Sequence, residues 1–132
     1  MNQLKGSCHC GAIQYSIDGK SFDGDYCHCR DCQKITGSPI SAWMDFKVEQ
    51  INWVNNKPKE YHSSKFIRRG FCELCGSTLS YRHTDHPKYT TLTITSLDNP
   101  NLAQPTYHIH TKSQVEWLTI SDDLPRYHKS RK

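Results

Sequence analysis

A chain of 132 residues suits one domain and can bury roughly two thirds of its unfolded surface, so a real core is within reach. Only 35% of it is hydrophobic and no apolar run approaches the ~18 residues of a spanning helix, which excludes a helical membrane protein. The net charge of +4 sits largely in the tail from Arg126 to Lys132; without it the balance is near neutral, and a dedicated nucleic-acid surface is not expected.

The first residues, Met1-Asn2-Gln3-Leu4-Lys5, meet a cysteine pair at once and leave no room for the apolar stretch of a signal peptide, so the expected location is cytoplasmic. Ala12 to Ile17 alternates and stops at the turn signal Asp18-Gly19. Arg30 to Thr36 is the one helical candidate, capped by Gly37. Further strand-like runs are Ile40 to Phe46, Ile51 to Val54, Lys65 to Phe71, Ser77 to Arg82 and the β-branched Tyr89 to Thr95. Tyr107 to His110 and Val115 to Leu118 read as short strands, and Asp122-Asp123-Leu124-Pro125 as a turn against the body. Residues 126–132 are expected to fray. The reading is all-β with little helix, a single domain over 1–132.

Cysteine usage is the most informative feature. Seven is an odd number, and a reducing cytoplasm opposes disulfides, so metal binding is the better reading. Cys72-Glu73-Leu74-Cys75-Gly76 is a metal knuckle whose glycine allows positive φ, so that backbone N–H groups can approach the thiolates. Cys8-His9-Cys10-Gly11 is tighter and must kink, because in a flat strand the two sulfurs would lie too far apart for one ion. Two glycine-capped pairs make a closed tetrahedral site of Cys8, Cys10, Cys72 and Cys75 the natural assignment. Cys27-His28-Cys29-Arg30-Asp31-Cys32 supplies three ligands and no obvious fourth, the pattern of an open zinc site. His28 as fourth ligand, completion by a distant histidine, an iron–sulfur cluster and a redox dithiol at Cys29 and Cys32 are the alternatives.

At these residues the chain resembles the glutathione-dependent formaldehyde-activating enzymes, a family that includes centromere protein V-like proteins. The likeness lies in Gly6 to Ala12, Cys27 to Ser38, Arg69 to Leu79, and an ending with Trp117 and Asp123-Leu124-Pro125-Arg126-Tyr127. The resemblance implies several small coiled antiparallel sheets around a structural zinc, in the Mss-like β fold of a small Rab exchange factor. It implies a structural zinc on Cys8, Cys10, Cys72 and Cys75 and a catalytic zinc on Cys27, Cys29 and Cys32; the net negative charge of three thiolates makes a labile metal the expectation at the second site. It also implies a carbon–sulfur lyase activity joining formaldehyde to glutathione as S-hydroxymethylglutathione. Arg30, Lys34, Arg68 and Arg69 are candidates for the substrate carboxylates, His83 and His86 for proton transfer, and Trp43 and Tyr81 for a pocket wall. Competing readings are a non-catalytic zinc module on nucleic acid or chromatin, the same fold acting on another thiol, and a metal-handling sensor.

Overall fold

The computed structural model describes residues 3–131, so the outermost residues of the expected 1–132 domain, including the last residue of the tail, lie outside it. The chain is all-β with one short helix. Its elements are β1 (Leu4–Ser7), β2 (Gln14–Ile17), β3 (Asp23–Cys27), α1 (Arg30–Thr36), β4 (Ser41–Lys47) and β5 (Ile51–Trp53), followed by β6 (Lys59–His62), β7 (Ile67–Phe71), β8 (Thr78–His83), β9 (Tyr89–Thr93) and β10 (Tyr107–Ile109).

The strands gather into two sheets, a three-stranded one in the order β1-β2-β5 and a seven-stranded one in the order β10-β3-β4-β9-β8-β7-β6. All pairings are antiparallel, as expected, except β10 with β3. Alternation along β2 turns Tyr15 and Ile17 inward, and β4 contributes Met44 and Phe46. These pack with Leu4, Leu92, Ile94 and Leu97 into the largest apolar cluster.

Two smaller clusters are built around cysteines. One joins Cys8 and Cys72 to Ile13 and Leu79; the other joins Cys27 and Cys32 to Trp43. Fully burying a side chain of this class contributes about 1.5–3 kcal/mol. The thiols are therefore part of the core as well as candidate ligands.

Two expectations about the C-terminal region need correction. Val115 to Leu118 is not a strand, and Trp117 is 75% exposed. The edge of β10 that such a strand would need is taken by the tail. Tyr127 N donates to His108 O at 2.9 Å, and His108 N to Pro125 O at 2.9 Å. The tail itself does not fray through Arg131. The backbone N–H groups of His110 and Thr111 donate to the carbonyls of Lys129 and Tyr127, and Arg131 pairs with Asp23 at 3.2 Å. No helix among the described residues is long and apolar enough to cross a membrane.

Candidate metal centres

The first knuckle leaves β1 at Cys8, turns at Gly11 (φ 83°), and returns through Cys8 N donating to Ile13 O at 2.9 Å. The second leaves β7 at Cys72, turns at Gly76 (φ 81°), and closes with Gly76 N donating to Cys72 O at 2.8 Å. A side chain at either φ is strained, which is why both positions are glycine. Ser77 joins the two knuckles: its hydroxyl accepts from His9 N at 2.9 Å and lies 3.2 Å from Cys75 Sγ. That hydroxyl, with the Ser77 N–H, holds the half-buried Cys75 thiol down at about 5.

The four sulfurs of Cys8, Cys10, Cys72 and Cys75 lie within 4.8 Å of one another. Cys8 and Cys10 are 3.7 Å apart, and Cys10 and Cys72 3.8 Å. A tetrahedral zinc with bonds of ~2.3 Å spaces its sulfurs by about 3.8 Å. The donor set and its spacing therefore fit a closed four-thiolate metal site.

The second cluster is local to one loop. Cys27 ends β3, Cys29 caps α1 by accepting from Cys32 N at 3.3 Å, and Cys32 lies in the helix's first turn. α1 is the helix predicted from Arg30 to Thr36, and Gly37 closes it in the left-handed region at φ 72°. The sulfurs of Cys27, Cys29 and Cys32 also lie within 4.8 Å of one another, and no fourth described histidine, cysteine or carboxylate joins them. This donor set fits a three-thiolate site with an open position.

His28 turns away from the sulfurs and opens a buried chain. Its Nε2 is 2.8 Å from His108 Nδ1, and His108 Nε2 is 3.0 Å from Asp122 Oδ2. A carboxylate only accepts, so His108 donates through Nε2 to Asp122, and His28 Nδ1 is buried without a partner. Burial first, and then the neighbouring His108 and Arg126, lower the His28 pKa. Asp122 is held down at about 2 by His108 first and by the Leu124 N–H and Arg126 after it.

A folded value below the ordinary one of ~3.9 stabilises the fold above that value, and the gain is lost as pH falls toward 2. Asp122→Asn should therefore lower the denaturant midpoint by the same amount at pH 7 and pH 5, with a deficit that shrinks below about pH 4. A deficit that grew in acid would contradict this assignment.

The open cluster borders a cavity of about 180 Å³ lined by Trp43, Tyr81, Ile109, Thr91, Asp25 and Asp45 besides Cys27 and Cys32. Burial pushes the Asp25 carboxyl up to about 8, and its Oδ1 has no hydrogen-bond partner. Asp45 is raised by burial too, although it accepts from Thr91 Oγ1 at 2.6 Å. Among the three thiols, contacts from Cys27 and Cys29 push Cys32 well down, with Arg69 adding to the effect, and Cys27 is pushed far up by the same contacts.

Of the basic candidates only Arg69 reaches the site, with Nη1 3.5 Å from Cys32 Sγ. Arg30 donates to Gln33 Oε1, and Arg68 to the carbonyls of Ser64, Lys65 and Ile67. Lys34 is an exposed residue of α1. His83 packs against Phe66 and His86, and neither histidine lines the cavity. Trp43 and Tyr81 do line it. Sequence reasoning missed Asp25, Asp45, Ser77, His108 and Asp122. Only Asp25 carried a local signal, since a residue two before Cys27 in a strand shares its face.

The model of the glutathione-dependent formaldehyde-activating enzymes matches residues 3–113. The chain belongs to this family. It is 32% identical over 85 residues to an uncharacterized lyase of Schizosaccharomyces pombe, a match spanning 64% of this chain and 61% of the yeast protein. It thus spans less than two thirds of that relative's length. Its fold is similar to the crystal structure of a Rhodobacter sphaeroides protein, with a TM-score of 0.60 and 21% identity over 76% of this chain and 96% of the other.

Proposed function

We propose that this family member is a zinc-dependent carbon–sulfur lyase that joins formaldehyde to glutathione, giving S-hydroxymethylglutathione. In that reaction the thiol sulfur adds to the carbonyl carbon, and the thiol proton ends on the carbonyl oxygen. Cys8, Cys10, Cys72 and Cys75 hold a structural zinc on this reading, and Cys27, Cys29 and Cys32 a catalytic one. The observation that carries it is the three-sulfur cluster, with no fourth ligand among the described residues, opening on its own cavity. The family membership and the lyase name of the yeast relative support the reaction class.

Zinc bound by three thiolates supplies a Lewis acid and a place for a thiol to bind as thiolate. The chain's own residues do the rest. At about 180 Å³ the cavity is below the roughly 300–1,000 Å³ of sites that enclose drug-sized ligands, so it suits the aldehyde and not a tripeptide. The thiol then approaches from the side of Cys29, the least buried of the three ligands. Trp43 and Tyr81 wall the cavity and exclude water around the carbonyl. Holding both reactants at one site supplies the proximity gain.

Protein carrying two zinc equivalents should speed the appearance of the hydroxymethyl signal of the glutathione adduct in carbon NMR above the uncatalysed rate. A rate equal to the uncatalysed one with glutathione, but raised with another small thiol, would move the substrate and keep the lyase. No acceleration with any thiol would end the enzymatic reading.

A further inference from the structure

We propose that Arg69 is a positioning residue of the three-cysteine site. Its guanidinium holds Cys32 and balances the negative charge that three thiolates leave on a bound divalent metal. This rests on the reading of that cluster as a zinc site.

Arg69 is only 6% exposed, and none of the ion pairs among the described residues includes it. A buried cation is costly unless an anion or hydrogen bonds compensate it. The compensation it has is unusual. Nη1 donates to Cys32 Sγ at 3.5 Å, and the guanidinium carbon lies 5.0 Å from the centre of the Tyr81 ring. Nε is buried with no partner, and among the described residues the contact with Cys32 is the side-chain hydrogen bond that Arg69 makes.

Three thiolates and a divalent ion sum to one negative charge, and one arginine brings the sum to zero. A flat guanidinium can stack on an aromatic face and donate sideways at once, whereas an ammonium is a point charge and cannot. Arg69 lies on β7, the strand that runs into the Cys72 knuckle, so the closed site fixes the strand that carries it. Tyr81 faces it from β8 in direct register.

The test compares the full chain with R69M and R69K, using a chromophoric chelator to titrate zinc, metal analysis to count it, and thermal melting. Two zincs are expected in the parent. In R69M the second zinc should be held about ten- to a hundredfold more weakly, the usual loss when an outer partner of a metal ligand is removed. The first zinc and the melting temperature should stay close to the parent's.

R69K, which keeps the charge but not the fork, should fall between, about three- to tenfold weaker than the parent. Equal affinity for the second zinc in R69M and the parent would overturn the role, as would parallel weakening of both zincs, the mark of a merely structural arginine. If R69M does not fold, R69K decides, and parent-like retention of its second zinc overturns the proposal. A parent that binds one zinc only would instead remove the zinc reading on which the proposal rests.

Discussion

Stripping the metal from the full chain should abolish its cooperative thermal melt and collapse its near-ultraviolet circular dichroism. The knuckles at Cys8 and Cys72 come from opposite parts of the chain, after β1 and after β7, and meet with sulfurs 3.8 Å apart. They bring Ile13 and Leu79 with them, since Cys8 and Cys72 share a buried cluster with these two. Without a metal, four thiols at this spacing have little to hold them except weak S–H contacts. Zinc bound at such modules contributes apparent energies of about 10–16 kcal/mol, against a net stability of about 5–15 kcal/mol for an ordinary domain. A zinc bound at this site would therefore decide whether the fold exists. Cys72→Ser should have the same effect without chelator, because Cys72 is 1% exposed and a hydroxyl there is a poor zinc ligand left buried. A chelated sample that kept its melt would show that the two sheets stand on their apolar clusters alone.

Cys29→Ser should cut thiol–formaldehyde adduct formation by about a hundredfold or more while leaving the fold and one tightly held zinc in place. Losing only an outer partner of a metal ligand costs about 10–100-fold, so losing a ligand sets a floor near the top of that range. Cys29 is the informative position because its sulfur has two roles. It is a donor of the open cluster, and it caps α1 by accepting from Cys32 N. Serine is among the best helix caps, so the substitution keeps the cap and removes the soft ligand. The loss of rate is then separable from a loss of structure. Metal analysis should read one zinc per chain, and the melting temperature should stay within a few degrees of the parent's. Undiminished turnover would mean that the open cluster is not where the reaction occurs.

Much of the candidate sites is legible in local spacing. A C-x-x-C or C-x-C pair followed by glycine fixes its own turn, because the constraint is the φ of one residue and the reach of two sulfurs. Gly11 and Gly76 adopt the positive φ that the spacing demands. α1 is legible for the same reason, with its stop at Gly37 one residue past its end. β9 is legible through its β-branched run. β3 is not. Asp23-Gly24-Asp25-Tyr26-Cys27 is polar and contains a glycine, both poor for a strand, yet it lies between β4 and β10. Neighbours on both sides override its propensity, and that is information held by other parts of the chain.

The sequence by itself determined the all-β class, the single helix, and the division of seven cysteines into a group of four and a group of three. The class and the helix follow from backbone geometry within a few residues, and the division from ligand chemistry, since two glycine-capped pairs complete one tetrahedral site and leave a local group of three. The tertiary structure alone decided what surrounds the sulfurs. Arg69, one of four basic candidates on sequence, is buried against Cys32 because β7 lies beside β8. Asp45 comes to the Cys27 cavity only because β4 pairs with β3. His108 and Asp122 line up behind His28 because β10 runs parallel to β3 and the tail covers its edge. The charge and hydrogen-bond partners of a buried group are set by strand order over long sequence separations, and residue spacing carries no record of that.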